Sequence, residues 1–143
     1  MSSEPLPTIE DFERGEIECS SFNREAHVYI AWLFTNRFER RVAIERFSAA
    51  IKALTKKFGV TQKYHATLTR FWIGLIAERA AALPSSDWAT FRRHNRNLLN
   101  DARNLSHRNY SAELLAAEDA RHHYRLPDRW QDSAFSRTLS DSS

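Results

Sequence analysis

Ile44, Phe47, Ile51, Leu54 and Phe58 recur at alternating steps of three and four residues. An α-helix brings such positions onto one stripe, and a stripe that regular has to be covered by neighbouring helices. The spacing predicts a long helix that follows Asn36-Arg37-Phe38-Glu39, a capping-box pattern in which the glutamate reaches back to the cap amide. Gly59 supplies its left-handed stop. Among 143 residues there are only 3 glycines and 4 prolines. A β-sandwich of this length would need many more turn residues, so the chain is expected to be all-α.

The neighbours of that helix are legible in the same way. Thr8 with Glu10 and Asp11 predicts a short first helix ending near Gly15. Ser20 and Ser21 are expected to cap a second over about residues 22–35, with Phe22, Ala26, Ile30, Leu33 and Phe34 as its apolar face. A fourth, over about 62–83, carries Tyr64, Leu68, Phe71, Trp72, Leu75 and Ile76, a face wide enough to make it central. After Pro84, Ser85 or Ser86 is expected to cap a short helix containing Trp88 and Phe91. A polar helical segment then runs to Asn109, and Ser111 caps a last helix ending near Tyr124, with Pro127 blocking its continuation. Trp32, Trp72 and Trp88 are expected in the core, whereas Trp130 stands alone in a polar stretch. The expectation is a single domain over 1–130, an irregular antiparallel helical bundle with three long central helices and short peripheral ones. A Ser- and Asp-rich tail, 131–143, is expected to be disordered.

Composition narrows the functional classes. Hydrophobic residues are 42% and aromatic residues 12%, enough for a packed core. Cys19 is the single cysteine and has no basic neighbour to activate it. With no basic-apolar leader in Met1–Pro7, the reducing cytoplasm is the expected compartment. The longest apolar runs, Val28–Phe34 and Phe71–Ala77, are too short to span a bilayer, so no membrane is expected. Twenty-one basic against 18 acidic side chains leave +3. Arg92-Arg93-His94-Asn95-Arg96, with Arg103, His107 and Arg108, forms a basic region without interleaved aromatics or a helix-turn-helix pattern, so nucleic acid is an unlikely partner. Three glycines leave no phosphate-binding loop. Glu118/His122 and Asp119/His123 have zinc-compatible spacing, but adjacent residues on a helix point about 100° apart. Solvated, dipole-favoured histidines are the expectation there.

Two further histidines are less easily explained. His27 shares a helix face with Ile30, Ala31 and Phe34, and His65 with Leu68, Trp72 and Ile76. A titratable ring on an apolar face needs a buried partner or a chemical role. Helices two and three are antiparallel, as are three and four, so two and four run parallel. His27 and His65 both fall in the first two turns and are therefore expected at one end of the bundle, near Tyr64, Thr67 and Thr69. Such a pair can satisfy buried hydrogen bonds, bind a polar ligand or exchange protons. It can also contribute to a metal site, for which two ligands are too few.

Phe22-Asn23-Arg24-Glu25-Ala26-His27, Ala31-Trp32-Leu33, Tyr64-His65-Ala66-Thr67-Leu68-Thr69 and Leu126-Pro127-Asp128-Arg129 together resemble a family of small bacterial all-helical proteins of no settled activity. The resemblance covers most of residues 9–130. The family's two motifs usually read F-x-H-x-x-H and Y-H-E-T, a set of histidines and a glutamate suited to metal or acid–base chemistry. This chain departs from both, with Arg24 in place of the first histidine and Ala66 in place of the glutamate. A guanidinium one turn from His27 disfavours a divalent cation and favours an anion. No metal is therefore expected, and no cofactor can be assigned. The expected site has His27 and His65 as proton carriers or hydrogen-bond donors, with Arg24, Tyr64, Thr69 and Trp72 as ligand-binding residues around a small, anionic molecule. No reaction follows from the residues. The alternative is a non-catalytic interaction module, a homodimer for example, that uses the helix-three seam or Trp130 and keeps a degenerate site.

Overall fold

A computed structural model of the chain describes residues 7–18 and 22–129. Among the described residues there are nine helices and no strand: α1 (Ile9–Glu13), α2 (Arg24–Arg37), α3 (Arg40–Lys57), α4 (Ala66–Ala81), α5 (Trp88–His94), α6 (Asn97–Asn100), α7 (Ala102–Asn109), α8 (Ala112–Ala116) and α9 (Glu118–His122). Helices α2, α3 and α4 pack on one another, and α9 packs on α4. The end of α2 and the start of α3 lie beside the end of α4, at Ala77–Ala81. The start of α2, the end of α3 and the start of α4 meet at the other end. Helices α2 and α4 are thus parallel, with α3 antiparallel to both.

The heptad-like stripe of α3 faces inward: Ile44, Phe47, Ile51 and Leu54 are buried and Phe58 packs against them. Phe47 stacks on Phe12 with ring centroids 5.7 Å apart and takes the edge of Phe34 at 5.6 Å. Arg46 clamps Glu13 through two hydrogen bonds of 2.9 and 2.6 Å, holding α1 across α3. In α4, Phe71 through Ile76 are buried without a break, so this helix is surrounded on all sides. Trp32 and Trp72 are buried, and Trp88 is half-buried against Trp32 and Phe91. Gly59 adopts φ +72°, the left-handed stop its place after α3 calls for.

Helix starts depart from the sequence expectation at four places. Asn23 caps α2 by accepting from the Ala26 N–H at 2.9 Å, so this helix opens later than expected from Ser20 and Ser21, which lie outside the described residues. Asn36 is the penultimate residue of α2 and donates to the Trp32 carbonyl at 2.9 Å, while Glu39 itself caps α3 through the Val42 N–H at 3.2 Å. The expected capping box is therefore replaced by a single acidic cap. Asp87, not Ser85 or Ser86, caps α5 through the Thr90 N–H. The fourth helix begins at Ala66 rather than near residue 62, because Thr61–Lys63 form a tight 3-10 turn. The last expected helix is broken into α8 and α9 by extended backbone at Ala117, φ −69° and ψ 136°. Cys19, Trp130 and the tail 131–143 lie outside the described residues. Among the described residues no helix is long and apolar enough to cross a membrane.

Candidate functional site

The parallel run of α2 and α4 leaves a cleft of about 550 Å³ where their first turns meet the end of α3. Ile51, Leu54, Phe58 and Leu68 give it an apolar floor. Arg24, His27, Tyr64, His65, Thr69 and Trp72 all line this cleft. The sequence placed the two histidines at one end of the bundle, and the structure brings them into the wall of one hollow.

His27 is half-buried in the first turn of α2. Its ring meets the Phe22 ring edge-on at 5.4 Å and lies 5.5 Å from Phe47. Among the described residues neither ring nitrogen has a hydrogen-bond partner. Burial among these rings holds the imidazole down to about 4, and the Arg24 guanidinium adds to the shift. At neutral pH His27 is an uncharged imidazole with one donor and one acceptor nitrogen.

His65 is held very differently. It is the N-cap of α4: its Nδ1 accepts from the Leu68 N–H at 3.2 Å. The proton therefore sits on Nε2, which donates to the Leu115 carbonyl at 2.8 Å. Both nitrogens are engaged by the backbone, one within α4 and one across to α8. Two residues on, the buried Thr67 hydroxyl donates to the Ala120 carbonyl at 2.7 Å, lies 3.1 Å from the His123 carbonyl and accepts from the Arg125 N–H at 3.1 Å. This wall of the cleft is consequently stitched to the C-terminal segment.

The remaining residues differ in character. Arg24, exposed at the first position of α2, sets its guanidinium 5.9 Å from the Trp72 ring centroid. A cation at a helix N-terminus opposes the macrodipole, and the adjacent Glu25 pairs with Arg92 at 3.1 Å instead. Burial pushes the Tyr64 phenol upward, so it keeps its proton. Thr69 is 9% exposed, and its hydroxyl has no hydrogen bond among the described residues.

Two cleft residues escaped the sequence reading. Lys63, on the 3-10 turn, and Arg103, on α7, stand at the wall. Arg103 belongs to the basic region of the sequence, and nothing in its local pattern links it to a hollow formed some 40 residues away in the chain. Among the described residues none that lines the cleft is Asp or Glu. Arg24, Lys63 and Arg103 have no carboxylate partner among the described residues. Within the basic region Arg92 pairs with Glu25, the His94 ring bonds the Thr90 carbonyl, and Asn95 bonds Arg79 and the Phe91 carbonyl.

His122 bonds Glu118 at 3.2 Å on the exposed face of α9. Among the described residues no group of three or more His, Cys, Asp or Glu side chains is gathered so that it could hold a metal ion. No family model matches the chain, and neither the curated proteins nor the solved structures include one significantly similar to it.

Proposed function

We propose that the cleft binds a small anion with an apolar body, and that His27 is the side chain that exchanges a hydrogen bond or a proton with it. The observation that carries this reading is the cleft's charge balance: cations on its walls, an apolar floor and, among the described residues, no carboxylate. Charged walls above low-dielectric packing concentrate counter-ions, and the positive ends of α2 and α4 act in the same direction. Ile51, Leu54, Phe58 and Leu68 would take the apolar body, and Arg24 and Thr69 the anionic group. His27, with both nitrogens free of backbone partners, supplies the donor. His65 keeps the start of α4 in place beneath them, since any proton transfer through it would require giving up the cap.

The reading of an interaction module finds less support. The α3 seam that motivated it is closed inside the core. Leu126 is the one large hydrophobic residue found exposed among the described residues, short of the apolar patch a stable partner surface needs.

The test is a thermal-shift titration with 3-phenylpropanoate at constant ionic strength. Saturable stabilisation is expected by mass action, lost in Arg24→Gln and weakened in His27→Gln while both variants stay folded. No shift beyond that of chloride, or an unchanged shift in Arg24→Gln, would remove the proposal.

A further inference from the structure

We infer that the anion held in this cleft carries two negative charges, as a phosphate monoester or a dicarboxylate on an apolar body; the inference rests on the cleft being an anion site. Its three cations come from three separate elements: Arg24 from α2, Lys63 from the 3-10 turn and Arg103 from α7. All three residues are exposed, and none has a carboxylate partner among the described residues. The acids nearest to Arg24 and Arg103 in sequence are turned elsewhere, Glu25 to Arg92 at 3.1 Å and Asp101 to the Asn104 amide at 2.7 Å. A monoanion would neutralise one of the three and leave two cations lining the same cleft, available to a further negative charge. A dianion leaves a single positive charge in excess.

The hydroxyls of the cleft sort in the same sense. Thr55 and Ser106 donate to the carbonyls of Lys52 and Arg103, each at 2.9 Å, and are not available as donors. Thr69 is nine-tenths buried, lines the cleft and has no partner among the described residues. The Thr69 hydroxyl is therefore an available donor to an oxyanion seated between it and Arg24. Lys63 and Arg103 then have a second charge to meet. Lysine and arginine differ here in kind: the arginines can grip an oxyanion through two parallel N–H groups, whereas Lys63 acts as a point charge.

Calorimetric titration at pH 7.5 and fixed ionic strength tests this with four probes on one aromatic skeleton: 2-phenylethanol, 3-phenylpropanoate, 2-phenylethyl phosphate and phenylsuccinate. At least one dianion is expected to bind tenfold or more tighter than 3-phenylpropanoate, with the neutral alcohol weakest. Lys63→Gln and Arg103→Gln should erase that advantage, weakening the dianions more than 3-phenylpropanoate. Whichever dianion binds tighter separates the phosphate ester from the dicarboxylate. Equal binding of monoanion and dianions, or an advantage that survives both substitutions, overturns the double charge while leaving an anion site in place. Failure of all three anions to bind removes the anion site itself, and this inference with it.

Discussion

The two histidines of the cleft sit within reach of the same hollow and differ in almost every other respect. On the α4 wall, His65 has both ring nitrogens bonded to backbone, and its neighbour Thr67 ties the same turn to Ala120 and Arg125. On the α2 wall, His27 is wedged between Phe22 and Phe47 with no partner for either nitrogen among the described residues. One imidazole is a structural bracket with a fixed tautomer; the other is a packed ring whose polarity the fold does not use. Residue type and location therefore do not assign a role. The disposition of the ring nitrogens does.

The comparison breaks first on stability. His65→Ala removes a cap and strands the Leu115 carbonyl, so unfolding in urea should show a loss of roughly 3 kcal/mol. A loss under about 1 kcal/mol would put His65 back among groups free for chemistry. The next largest effect is on pH dependence. The His27 imidazole titrates near 4 when folded against 6.5 in the unfolded chain, so the unfolded state binds more protons between these values. Stability attributable to His27 is then complete above pH 6.5 and is lost as pH falls through 4. Because one side of the ring faces the open cleft, the difference is about 2 kcal/mol. His27→Leu should flatten that limb of the stability–pH curve relative to wild type, while His65→Ala should leave it in place.

A finer cut comes from His65→Asn. Asparagine keeps an N-cap acceptor but does not reach Leu115, so about half the alanine loss, roughly 1.5 kcal/mol, is expected by the same measurement. The smallest effect sharpens the contrast from the other side. Arg24→Gln should change stability by less than about 0.5 kcal/mol, since it loses an exposed cation–π contact and gains relief at the helix dipole. Its ligand affinity should nonetheless collapse.

The bundle was legible because its three long helices carry their apolar residues at 3.6-residue spacing, and the parallel pairing of α2 and α4 followed from two short connections. That sufficed to gather six residues around one hollow. The helix starts were harder, since Asn36, Ser85 and Asp87 are all good caps, Glu39 is not a favoured one, and only the path of the chain selects among them. His65 read as a helix-face residue because histidine as an N-cap leaves little trace in a sequence pattern. Lys63 and Arg103 were missed for a different reason: a cation's local surroundings look the same whether it borders water or a cleft assembled from distant segments. The interruption at Ala117 was invisible, because alanine is the best of helix formers and nothing around it signals a stop.

That interruption reaches further than the peripheral segment in which it lies. By turning extended at Ala117, the chain leaves the carbonyl of Leu115 outside any helical ladder, as an acceptor looking for a donor. A straightened segment, with one uninterrupted helix from Ser111 to His123, would reclaim that oxygen and leave His65 Nε2 without its partner while Nδ1 still caps α4. The bend thus sets the partner of a ring on another helix: an irregularity in one short helix pair decides whether the second nitrogen of His65 is spent on backbone.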